Sequence, residues 1–147
     1  MSRTTTRPKP AKAPAAIPAA SRPALRVGTS PIHGTGVFAT AKFDEDDVIE
    51  SCPILVVPPS QAKKVADTTF GDYVYEWHAG YALALGFGSL YNHSRSSNAR
   101  YEMDYETEEI TIVAVRRIRV GEEITINYNG DHTDASPVWF EKGYVER

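Results

Sequence analysis

From Leu25 onward apolar residues recur at about every second position, in short runs broken by glycine, proline and acidic clusters. That is the period of half-buried strands. LRVG, GVFAT and DDVIESCPILVV read as strands, the last halted at Pro58-Pro59, which cannot donate to a ladder. Ser60 is placed to cap a short helix, SQAKKVA, ahead of TTFGDYVYEW. The apolar run GYALALGFG is short and flanked by glycine, and is read as a strand. ARYEMDYE and EITIVAVR alternate most clearly and form a hairpin across a polar turn at Thr107-Glu108. RIRVGEE then turns on Gly121 into the strand EITINY, and Ser136-Pro137 has the form of a helix start leading into VWFEKGYVER. The expected fold is mostly β, with many short strands, little helix and no internal repeat.

Composition fits that expectation. With 147 residues, 41% of them hydrophobic and 10% aromatic, the chain can bury one core of its own. No apolar run approaches the ~18 residues of a membrane span, and no leader with a cleavage site opens the chain, so an intracellular protein is expected. It would sit in the cytoplasm or nucleoid of a bacterium, or in the nucleus of a eukaryote or an infected host. The single Cys52 excludes an internal disulfide and a multi-cysteine zinc site, and His33, His78, His93 and His132 show no ligand spacing, so no metal is expected.

Charge divides the chain in two. Residues 1–26 carry six Lys or Arg and no acid, while the rest carries ten basic and nineteen acidic residues, which puts the two parts near +6 and −9. Residues 1–24 have almost nothing to bury and are expected to be a disordered basic Pro/Ala-rich tail. Weak nucleic-acid contact is one use for such a tail. An acidic body attracts a cationic partner.

Small polar and aromatic residues gather in three places: IHGTGVFA, YNHSRSSNARY and GEEITINYNG, roughly 55 and 30 residues apart. The glycines of the first would let backbone amides approach a ligand closely. The asparagines and serines of the second suit a turn or a site equally.

In that order the three clusters resemble the motifs of the SET domain, the protein-lysine methyltransferases that use S-adenosylmethionine. SPIHGTGVFAT is similar to the first motif, ALGFGSLYNHSRSSNARY to the asparagine-histidine-serine motif, and GEEITINY to the last strand with its terminal tyrosine. The ALGFG run and the short length are most similar to the minimal SET proteins, the chlorella-virus histone methyltransferase and its bacterial relatives. The resemblance implies a fold of several small sheets whose C-terminal segment threads as a pseudoknot. It also implies a SET domain over 25–130 and a segment 131–147 that closes the lysine channel. Gly34, Thr35, Gly36 and Val37 would line the methionine part of the cofactor, Asn92 would meet its amino group, and the His93 backbone its adenine. Tyr91 and Trp139 join this cofactor set. Tyr128 would be the catalytic tyrosine, and Tyr73 would line the lysine channel.

The sequence also departs from the family. Arg95 stands where many members have cysteine, Ser97 where most have proline, and Thr35 where the viral protein has a tyrosine. No cysteine follows Cys52, so no zinc segment can close the channel. Trp139, Phe140 and Tyr144 could close it by aromatic packing, or form an ordinary core-facing helix.

The chemistry agrees with the resemblance. A lysine, with a pKa of about 10.4, must lose its proton before it attacks the methyl group, and a dry tyrosine-lined tunnel favours that loss. A tyrosine of pKa about 10 serves there as an orienting group, since little phenolate exists at neutral pH. The expected activity is methylation of a lysine in a basic protein, histone-like or ribosomal, by a chain that could dimerise. Two alternatives stay open: a non-catalytic SET-like peptide-binding module, and a chromatin- or nucleoid-associated protein anchored by Arg3, Arg7, Lys9, Lys12 and Arg22.

Overall fold

A computed structural model describes residues 24–138. The tail up to residue 23, together with Trp139, Phe140, Tyr144 and the helix expected after Ser136-Pro137, lies outside the described residues.

Two sheets share one core. Strand β1 (Leu25–Thr29) pairs antiparallel with β2 (Thr35–Ala39), in a register that sets Gly28 opposite Gly36. The loop between them closes where the Ser30 N–H donates to the Gly34 carbonyl at 2.8 Å, with Gly34 at φ 47°, a conformation open to glycine. β3 (Val48–Val57) is the long central strand of the second sheet. It ends where the sequence predicts, before two prolines. Helix α1 (Pro59–Ala66) follows, and here the expectation fails in one detail: Pro58 occupies the cap without any side-chain bond, and Ser60 lies inside the first turn. Proline at the first helical position lacks an N–H that would be unpaired there anyway.

A 3-10 turn (Thr69–Asp72) leads into β4 (Tyr75–Trp77), which turns through His78 and Ala79 into β5 (Gly80–Ala84). The apolar run read as one strand thus ends at Ala84 and turns through Leu85 to Ser89. β7 (Ala99–Asp104) and β8 (Glu109–Ala114) form the expected hairpin, whose turn is fixed by Asp104 Oδ1 accepting the N–H groups of Glu106 and Thr107. The strand order is β4-β5-β3-β8-β7.

The sheet curls until its two edges meet. Tyr75 of β4 stands edge-on to Tyr101 of β7 at 5.0 Å, and Trp77 packs on Tyr105 at 4.5 Å. Pairs of this kind contribute about 0.5–1.5 kcal/mol beyond their buried area.

β9 (Glu123–Ile126) completes the first sheet, in the order β1-β2-β9-β6. β6 is only Asn92–His93, and it pairs parallel with Thr125 and Ile126. No sequence pattern reveals a two-residue strand paired so far along the chain. The core beneath includes Val37, Ile110, Ile112, Ile118 and Ile124, none of which keeps any exposed surface. The alternation of EITIVAV puts Ile110 and Ile112 inside, each burial stabilising by about 1.5–3 kcal/mol. No helix among the described residues is long and apolar enough to cross a membrane.

Candidate active site

The second and third sequence clusters meet through β6 and β9. Asn98 clips its loop onto β9 as a further strand would: its amide donates to the Glu123 carbonyl at 2.8 Å, and its Oδ1 accepts the Thr125 N–H at 2.9 Å. Asn98 therefore secures the loop. Asn92, also buried, points the other way. Its Nδ2 faces the carbonyls of His33 (3.0 Å) and Thr35 (3.1 Å) and the Glu123 carboxylate (2.9 Å). Three acceptors around one atom fix which end of the amide is the nitrogen. The other end of the amide is a carbonyl oxygen, an acceptor suited to a cationic ligand.

The first cluster reaches the same point. Thr35 is exposed, and its carbonyl engages Asn92. Val37 is fully buried in the core, which leaves only its backbone for a ligand. A Cβ on Gly34 would meet nothing within 4 Å, so a surface for ligand approach exists there. At Gly36 the missing side chain has a second use. The space that a Cβ would fill belongs to the carboxylate of Glu123, and the glycine admits that side chain.

Tyr91, which precedes β6, and Tyr128, which follows β9, border a cavity of about 800 Å³. All seven tyrosines among the described residues line it, Tyr73, Tyr75, Tyr101 and Tyr128 among them. Asp72 and Glu76 also line it, and among the described residues no Lys or Arg does. A cation is therefore favoured over an anion in this space. Tyr73 is 43% exposed, and it stands near enough to Tyr128 for its phenol to influence that group.

Tyr128 joins the cavity to β6. Its hydroxyl donates to the Tyr91 carbonyl at 2.7 Å, its N–H donates to His93 Nδ1 at 3.1 Å, and its ring stands 5.2 Å from that imidazole. Tyr91 immediately precedes Asn92, so one peptide separates the carbonyl that holds the Tyr128 phenol from the asparagine of the other cluster. Burial, then the neighbouring Tyr73 and Asp72, push the Tyr128 phenol up to about 12. It stays protonated at neutral pH.

The Tyr91 side chain is itself 2% exposed, and its hydroxyl donates to Glu50 at 2.7 Å. Glu50 also accepts the Phe87 N–H at 3.2 Å, which makes it a brace under the second cluster. Burial first, then Glu50, raises the Tyr91 phenol, and burial also raises Tyr75 and Tyr101. Sequence reasoning misses Glu50 and Glu123, since an acid in a strand or beside a turn glycine looks like solvated charge. Tyr75, Tyr101 and Tyr105 look like strand aromatics. Only the curl of the sheet turns them toward one cavity. Among the described residues no group of His, Cys, Asp and Glu could hold a metal.

These raised phenols predict an alkaline transition. Folding holds each proton more tightly than the unfolded chain does, so stability is flat below the ordinary tyrosine pKa of about 10 and falls as pH rises past it. Denaturant midpoints measured against pH, with tyrosinate absorbance in parallel, should show a late group of phenols that ionises only as the chain unfolds. Ionisation of every tyrosine near pH 10 in the folded chain would contradict this.

Comparison with known proteins gives four results. Residues 34–129 match the family described as SET domain. A Schizosaccharomyces pombe protein named as a histone-lysine N-methyltransferase, H3 lysine-37 specific, is 33% identical over 122 residues, 82% of this chain and 79% of that protein. A crystal structure of a Plasmodium falciparum protein proposed to be a histone methyltransferase superposes with a TM-score of 0.62 at 29% identity, covering 81% of this chain and 98% of the other. A humanized mutant of the Chaetomium thermophilum Polycomb Repressive Complex 2 shares the fold at 19% identity and a TM-score of 0.60, over 71% of this chain and 15% of the other.

Proposed function

The chain belongs to the SET-domain family of protein-lysine methyltransferases, and from that premise we propose that it methylates a lysine of a histone-like protein, held in the tyrosine-lined cavity. SET methyltransferases use S-adenosylmethionine, which supplies an electrophilic methyl group on a sulfonium. The residues present fit such a cofactor beside β6: an amide carbonyl at Asn92 suited to an ammonium, and an open backbone at Gly34. Asn92, the backbone of Gly34 through Val37, and His93 would hold it. Trp139, outside the described residues, remains an expected contact.

The observation that carries this reading is the one-peptide link between Tyr128 and Asn92. This link supports a reading in which the lysine channel and the cofactor site adjoin. The side chains around the channel orient the amine and dry it, and the rings of Tyr73, Tyr75 and Tyr101 disfavour the ammonium form by removing water. Asp72 and Glu76 draw in the charged lysine and its basic neighbours. Tyr128, neutral and held by the Tyr91 carbonyl, orients the entering amine, and the lysine gives up its proton to solvent water before the attack. Holding two reactants in line supplies up to roughly 7–11 kcal/mol. Pro137 and Val138 already line the cavity, which supports segment 131–147 as its closing wall.

Because the fission-yeast relative is named for histone H3, histones are the first substrates to test, and chromatin is the expected setting. A labelled methyl group from S-adenosylmethionine should appear on lysines of histones, with ribosomal proteins and the chain itself as comparisons. No transfer to any of them, combined with no saturable cofactor binding, overturns the proposal.

A further inference from the structure

Glu123 sits in the GEEITINY stretch, outside the cavity, and both its carboxylate oxygens are used. Oε1 accepts from Asn92 Nδ2 at 2.9 Å, and Oε2 accepts from the Ser30 hydroxyl at 2.8 Å. The Ser30 oxygen in turn accepts the N–H groups of Ile32 (2.9 Å) and His33 (3.3 Å). Asn92 then closes the ring by donating to His33 and Thr35. The loop of the first cluster thus holds both ends of a network that has one carboxylate at its centre. The fold makes room for that carboxylate at Gly36. A Cβ there would overlap Oε1 and stand 2.9 Å from Cδ and 3.1 Å from Asn92 Nδ2.

We propose that Glu123 is a positioning residue for the cofactor: it draws the Asn92 amide nitrogen inward, so that the Asn92 carbonyl oxygen faces the cofactor ammonium, and it fixes the Ser30–Thr35 loop against the same site. The proposal rests on the reading that Asn92 faces that ammonium. A carboxylate suits the place because it only accepts, and two donors converge on it. Charge also shortens and strengthens both bonds. Glutamine is isosteric, but it must turn an NH₂ toward one of the two donors.

The test uses the full chain and two ligands, S-adenosylhomocysteine and its deaminated analogue, which lacks the ammonium. Glu123→Gln should weaken S-adenosylhomocysteine about ten-fold or more and leave the analogue within about two-fold, since only the first ligand needs the Asn92 orientation. Ser30→Ala, which removes one donor and keeps the charge, should weaken the first ligand by about two- to five-fold in the same selective way. Equal losses for both ligands, or no loss for either, overturn the positioning role. Failure of the unsubstituted chain to bind S-adenosylhomocysteine would instead overturn the cofactor assignment on which it rests.

Discussion

Tyr128→Phe is expected to lower turnover by about 100-fold or more, on the order of the cost of removing one preorganised polar group in other active sites, while the affinity for S-adenosylhomocysteine stays within about three-fold. The substitution removes one oxygen, and with it the 2.7 Å bond to the Tyr91 carbonyl. The ring remains against His93, so the cavity keeps its shape. In the proposed mechanism, what is lost is the polar group that orients the amine. Single-turnover rates separate this from weaker substrate binding, because the loss should fall on kcat and leave KM for the peptide little changed. The pH profile checks the same point. With its phenol pushed up to about 12, Tyr128 stays protonated across the working range. Any rise of rate with pH then reports deprotonation of the substrate lysine. A Tyr128→Phe protein of normal turnover would leave the fold and the groove with no methyl-transfer role at this tyrosine.

Gly36→Ala is expected to lower kcat/KM for S-adenosylmethionine by about 100-fold, since it breaks two charge-assisted hydrogen bonds of ~1.5–3 kcal/mol each and recovers part of that through water. The new methyl group takes the place of Glu123 Oε1. A carboxylate at the end of a flexible side chain can move aside, so the chain should still fold. It cannot move and still hold both Asn92 and Ser30. The thermal midpoint should fall by a few degrees, and binding of the deaminated cofactor analogue should fall less than binding of S-adenosylhomocysteine. An alanine variant of unaltered cofactor affinity would show that the carboxylate has no bearing on the site.

Much of this protein is legible in its order of residues. The alternation in EITIVAV, the stop at Pro58-Pro59 and the turn at Gly121 are local, and the forces behind them act within a few residues. The three clusters are legible through their order and spacing, since each by itself suits an ordinary turn. Ser60 does not cap α1 because serine and proline both favour the start of a helix, and proline at the first helical position wins. Gly36 admits a side chain where a ligand is expected, because a missing Cβ leaves room for either and local sequence does not distinguish them. Most of the closing segment falls outside the described residues.

Local pattern is enough to indicate the mostly β character and the succession of strands along the chain, and the resemblance to the SET motifs singles out Asn92, His93 and Tyr128 as candidates. What those residues face is set by packing. β6 exists only because β9, some thirty residues later, lies beside it. Tyr75 and Tyr101 share a cavity with Tyr91 and Tyr128 only because the edges of a five-stranded sheet curl together beside the ends of β6 and β9. Glu50 and Glu123 become braces only once distant hydroxyl, amide and N–H donors converge on them. Hydrophobic period and turn chemistry are set by neighbours along the chain. Convergence of polar groups from far apart depends on how the sheets pack, and no run of residues records that.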